Sequence, residues 1–132
     1  LKDINLPLWV SFVLKDENLL LAGDRLSDAL NMLNSFQIEM VLLNCNPLGR
    51  TKKAVDNIVA NWSDSWGIYP NLGIGEPSAD GCITEYESME KYLSVVEYAL
   101  NGGASVVGGC CGSSPEHIAE IKKLKYNFAE QL

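Results

Sequence analysis

Four times along this chain, an apolar run of strand length is followed by a segment whose apolar residues recur at helical spacing. Residues 7–14, Pro-Leu-Trp-Val-Ser-Phe-Val-Leu, form the first run, closed by the polar cluster Lys15 to Asn18. In the segment Arg25 to Phe36, Leu26, Ala29, Leu30, Leu33 and Phe36 share a helical face, with Asp24 or Ser27 placed to cap its start. The order recurs as Ile38 to Leu43 then Thr51 to Trp62, Trp66 to Tyr69 then Glu85 to Leu100, and Ala104 to Val107 then Pro115 to Phe128. Strands without polar alternation are buried on both faces, and parallel neighbours need a crossover connection that a helix supplies. The expected class is therefore α/β, four βα units with parallel strands.

Ligands of such sheets bind at the C-terminal ends of the strands, so chemistry is expected in the turns that lead from strand to helix. Those turns read Asn44-Cys45-Asn46-Pro47-Leu48-Gly49, Pro70-Asn71-Leu72-Gly73 and Gly108-Gly109-Cys110-Cys111-Gly112-Ser113-Ser114-Pro115. Three of the four cysteines fall on that face; Cys82 lies in the connection between Asn71 and Thr84 and is read as a loop thiol.

The 132 residues, 47% hydrophobic, suffice for one domain with a core. A net charge of -7 without a basic run disfavours nucleic acid and anionic membranes as partners, and points to a small-molecule site. No apolar stretch approaches the ~20 residues that span a bilayer, and the first residues lack the basic start and small-residue cleavage site of a signal peptide. The expected compartment is the cytoplasm, where thiols stay reduced for metal binding or catalysis. The abrupt start at Leu1-Lys2-Asp3 suggests a piece of a longer protein.

Structural zinc sites use four ligands in closely spaced pairs, whereas here one adjacent pair, Cys110-Cys111, would join a distant Cys45. Neighbouring side chains of a regular strand point to opposite faces, so the backbone must leave strand geometry at the pair, as Gly108, Gly109 and Gly112 would permit. Three thiolates with a fourth position for substrate make a catalytic zinc site, and a thiol bound there ionises without a general base. His117 stands in the first turn of a helix capped by Ser114 with Pro115 at its first position, a structural role to be weighed against substrate contact. Asn44 and Asn71 are either turn residues or substrate contacts. Simpler readings make the cysteine pair small buried residues or a vicinal disulfide with a redox role, and the glycine-rich turn an anion site. Trp9, Trp62 and Trp66 are read as packing.

Residues 108–118, Gly-Gly-Cys-Cys-Gly-Ser-Ser-Pro-Glu-His-Ile, resemble the signature of the homocysteine S-methyltransferases, in which threonines stand at the two serine positions. Leu43-Asn44-Cys45 is similar to that family's Asn-Cys at the sixth strand, Tyr69-Pro70-Asn71-x-Gly73 to its motif after the seventh, and Trp9-Val10-Ser11-Phe12 to its fifth unit. The resemblance runs in order along nearly the whole chain. It implies a (β/α)8 TIM barrel of which residues 1–132 are the C-terminal half, with Cys45, Cys110 and Cys111 as zinc ligands and homocysteine sulfur as the fourth ligand and methyl acceptor. It further implies a methyl donor, such as methylcobalamin on a partner domain, and substrate contacts from the missing N-terminal half or a second chain. The unpaired edges of a half barrel are expected to be covered by that half or by dimerisation. A non-catalytic zinc or thiol-binding module on the same half barrel is the alternative function.

Overall fold

The structure, a computed structural model, describes residues 6–75, 79 and 83–129, with side chains described as far as 125. Its elements alternate strictly: β1 (Trp9–Phe12), α1 (Leu26–Leu33), β2 (Met40–Pro47), α2 (Leu48–Asn61), β3 (Trp66–Asn71), α3 (Met89–Asn101), β4 (Val106–Val107) and α4 (Pro115–Ala129). The sheet is parallel throughout in the order β1-β2-β3-β4, so each helix is the crossover that parallel neighbours require. The α/β class and the four βα units are as the apolar runs lead one to expect.

Register divides the sheet into two faces. Trp9 pairs with Met40 and Ser11 with Leu42, Leu42 with Gly67, and Asn44 with Tyr69, so the side chains of Trp9, Ser11, Met40, Leu42, Asn44 and Tyr69 share one face. Val10, Phe12, Val41, Leu43, Trp66, Ile68 and Val107 point the other way, into a core that the helices complete with Leu26, Leu30, Val55, Ile58, Tyr92 and Val96. Neighbouring helices touch in sequence, α1 on α2, α2 on α3 and α3 on α4, forming one layer over that face. On the face away from the core, Ser11 Oγ and Tyr69 Oη lie 2.6 Å apart, spanning β2.

Four local expectations are corrected. Residues 7–14 are not a buried strand: β1 is shorter and alternates between exposed and half-buried because it lies at the sheet edge, and Trp9, 54% exposed, is not a packing residue. Trp62 and Trp66 do pack in the core. Neither Asp24 nor Ser27 caps α1, since Arg25 holds that position without a side-chain bond to the backbone. Helix α3 begins at Met89, not Glu85, because Ser88 Oγ accepts from the Lys91 N–H as an N-cap. Upstream of it, the Ile74 N–H donates to Glu85 O and the Glu87 N–H to Leu72 O, so 85–87 is extended against the end of β3. Finally, β2 runs on through Pro47 and α2 starts directly at Leu48, so Cys45 belongs to the last residues of a strand instead of a loop.

Candidate metal centre at the strand ends

Cys45 is the only described residue other than glycine with a positive φ, 52°. A side chain in this left-handed region costs roughly 1–2 kcal/mol, so it persists only where the surroundings dictate it. Here the β2–β3 register shifts between Asn44 and Pro47, and Cys45 sits inside the irregularity. Asn46, fully buried, anchors the far side of the kink: its Oδ1 accepts from the Leu14 N–H at 2.7 Å and its Nδ2 donates to Phe12 O at 3.2 Å. Thr51 Oγ1 donates to Asn46 O from the first turn of α2. Asn46 thus ties β2 to the end of β1 while its neighbour Cys45 turns toward β4.

The second part of the site continues β4. Pairing with β3 persists beyond Val107, with the Gly108 N–H donating to Ile68 O and the Cys110 N–H to Pro70 O, both at 2.9 Å. The chain then folds into a turn: the Ser113 N–H and Oγ both donate to Cys110 O, at 3.1 and 2.7 Å, while Cys111 O accepts from the Leu72 N–H at 2.9 Å. Its glycines differ in what they contribute. Gly112 has φ +79° and a Cβ there would run into the Tyr86 ring; a Cβ at Gly109 would meet Ser113 and the Tyr92 hydroxyl; Gly108 has open room, its nearest neighbour being Tyr69 Cβ at 3.6 Å. Of the three glycines, Gly112 alone adopts the left-handed conformation.

These two segments bring Cys45, Cys110 and Cys111 together, with all three sulfurs within 4.8 Å of one another. The Cys45–Cys111 separation is 3.6 Å and the Cys110–Cys111 separation 3.9 Å. A disulfide needs about 2.05 Å, and all three cysteines are free. Thiolates about 2.3 Å from a tetrahedral ion stand about 3.8 Å apart, so this cluster has the spacing of a trithiolate that could hold zinc. Burial pushes the Cys45 thiol above its usual range, with the neighbouring Cys110 acting in the same direction. A cation at the cluster centre reverses that preference by stabilising the thiolates.

The other candidates separate. Asn44 belongs to the cluster's edge, with Oδ1 3.9 Å from Cys110 Sγ. Asn71 Oδ1 accepts from the Gly73 N–H at 2.7 Å, which makes it a turn residue. His117 is also structural. Its Nδ1 accepts from the Ser114 N–H at 3.1 Å and lies 2.8 Å from Ser114 Oγ, closing the first turn of α4 as a capping box does. Since an amide can only donate, the neutral ring carries its proton on Nε2. Cys82 lies outside the described residues. Sequence reasoning missed Asn46 and Tyr92, whose hydroxyl donates to Gly108 O at 2.6 Å. Neither belongs to a spacing pattern; their partners are main-chain groups brought near only by the fold.

The fold is thus a parallel α/β sheet with three convergent thiols at its C-terminal strand ends, a cluster that could hold a metal ion. The homocysteine S-methyltransferase family profile matches residues 1–124, and the chain belongs to that family. It is 30% identical over 131 residues to homocysteine S-methyltransferase 2 of Arabidopsis thaliana, covering 95% of this chain and 38% of that one. It is 24% identical over 118 residues to the methionine synthase of Mycobacterium leprae, covering 89% of this chain and 10% of that one. Among solved structures, the metallated form of the homocysteine methyltransferase MmuM from Escherichia coli superposes with a TM-score of 0.69 at 27% identity, over 89% of this chain and 35% of that one. The chain thus spans little more than a third of the length of the Arabidopsis relative.

Proposed function

We propose that this chain is the metal-carrying C-terminal half of a homocysteine S-methyltransferase barrel, residues 1–132, in which Cys45, Cys110 and Cys111 hold one zinc ion. The observation that carries the reading is the sulfur spacing, 3.6 and 3.9 Å for two of the pairs, against about 3.8 Å for a tetrahedral trithiolate. Bound there, zinc would supply Lewis acidity that keeps a coordinated thiol deprotonated at neutral pH, suiting a thiol that must accept a methyl group. The chain's own residues prepare the place. Cys45 is turned out of its strand by the kink that Asn46 anchors, and Cys110 and Cys111 are presented by a turn hydrogen-bonded to Pro70 and Leu72. Asn44, on the sheet face away from the helices, is placed to orient substrate beside Cys110. Asn71, whose amide oxygen holds its own turn, is the weaker of the two substrate-contact candidates.

Homocysteine is the proposed acceptor, following the family and the names of the relatives. The donor is a small methylated molecule or methylcobalamin on a partner domain. Edges β1 and β4 each have one strand neighbour, leaving them free to pair with the remaining half of the barrel or with a second chain. Among the described residues no helix is long and apolar enough to cross a membrane.

The test is methyl transfer to homocysteine by the full-length protein containing these residues, assayed with methylated cobalamin, a betaine, S-methylmethionine and S-adenosylmethionine. Methionine formation from at least one donor, abolished in Cys111→Ser, is the expected result. Zinc binding with no methionine from any donor would favour a non-catalytic zinc module.

A further inference from the structure

Tyr92, on α3, is the largest fully buried side chain of the described structure, yet its hydroxyl is committed to one backbone atom, Gly108 O, at 2.6 Å. Its ring meets that of His117 edge-on, with centroids 5.2 Å apart and planes at 80°. His117 in turn accepts from the Ser114 N–H. The contacts therefore run from Gly108, through Tyr92 and His117, to Ser114, and so grip both ends of the segment that carries Cys110 and Cys111. Between those ends, Ser113 Oγ donates to Cys110 O, and Gly109 packs so closely on Ser113 and Tyr92 that no Cβ fits. The Cys110 carbonyl has its own partners inside the turn, so the Gly108 carbonyl is where the helix layer takes hold of the segment.

We propose that Tyr92 is the positioning residue of the thiolate cluster, holding the Gly108 carbonyl so that Cys110 and Cys111 stand opposite Cys45 before a metal arrives, with His117 as the clamp at the other end. The inference rests on the zinc reading above. Its physical basis is preorganisation: a site whose ligands are already in place loses less conformational freedom on binding than one that must assemble. Tyr92→Phe keeps the ring, its packing and its contact with His117 while leaving Gly108 O without its donor, so the lost interaction is the one that orients the turn. Groups that orient metal ligands from outside the coordination shell change affinity by about 10–100-fold.

The experiment is a cobalt(II) titration of the full-length protein under reducing conditions, following the thiolate-to-cobalt charge-transfer band, for wild type, Tyr92→Phe, His117→Ala and Val96→Ala. Val96 is a fully buried core residue of the same helix and serves as the control for lost stability alone. Tyr92→Phe is expected to weaken cobalt at least about tenfold and to alter the band, with His117→Ala moving both in the same direction. Val96→Ala is expected to lower the melting temperature while leaving affinity within about twofold, since it removes core packing but no hydrogen bond to the turn. Wild-type affinity in Tyr92→Phe, or a loss in Val96→Ala as large as that in Tyr92→Phe, overturns the proposal. A wild-type protein without the charge-transfer band overturns the zinc reading itself, and this inference with it, before any variant is compared.

Discussion

Cys45 Sγ lies 3.6 Å from Cys111 Sγ, although the two residues are 66 apart in the chain, one in β2 and the other in the turn after β4, with β3 between those strands. Two backbone departures produce that approach: the left-handed conformation of Cys45 and the left-handed Gly112 that closes the turn after Cys111. The site is built from main-chain irregularity at the ends of otherwise regular strands.

Cys45 adopts a conformation that favours glycine, so substitutions there separate backbone strain from ligation. In metal-free protein, Cys45→Gly is expected to be more stable than Cys45→Ala by roughly 1 kcal/mol, because alanine keeps the left-handed penalty. Both variants are expected to lose zinc. Urea unfolding of the metal-free variants checks the first expectation and metal analysis the second.

The glycines of the turn should rank by what a Cβ would meet. Gly112→Ala combines a left-handed backbone with a clash against Tyr86, and Gly109→Ala meets Ser113 and Tyr92, whereas Gly108→Ala has room. Each of the first two is expected to cost about 1–3 kcal/mol and Gly108→Ala less than about 0.5 kcal/mol. Thermal unfolding of the three metal-free variants tests the order, and an equal loss in all three would contradict it.

Alkaline pH should unfold the protein by way of Tyr92, whose burial pushes its phenol from the ordinary 10 up to about 12. The folded state holds this proton more tightly than the unfolded chain, so its contribution is complete below pH 10 and is lost as pH rises from there through about 12. Tyr98 is shifted in the same direction by its hydrogen bond to Asp56. Denaturation midpoints between pH 8 and 12 should therefore fall in the upper half of that range, and less steeply in Tyr92→Phe.

Much of this architecture was legible in the sequence because it depends on periodicity. Buried parallel strands and one-sided helices leave apolar patterns that survive without knowledge of neighbours, as with Val41, Leu43 and Ile68 against Val55 and Ile58. The cysteines were legible because chemistry in such folds collects at the C-terminal strand ends and because the motif around them resembles a known family. The boundaries were less so. Glu85–Glu87 resemble a helix start by composition, but their backbone groups pair with Leu72 and Ile74, and Ser88 is the cap. The edge position that exposes Trp9 follows from strand order, which the residues of β1 do not encode by themselves. Asn46 and Tyr92 act on backbone carbonyls or amides of other elements, contacts that no local pattern announces.

The central claim is that three thiols form one metal site, and zinc content tests it most directly. Full-length protein purified under reducing conditions should carry about one zinc at this site, lost in both Cys45→Ser and Cys110→Ser, since removing either leaves too few thiolates for tight binding. Zinc absent from the wild type, or retained at full occupancy in both variants, would contradict the account.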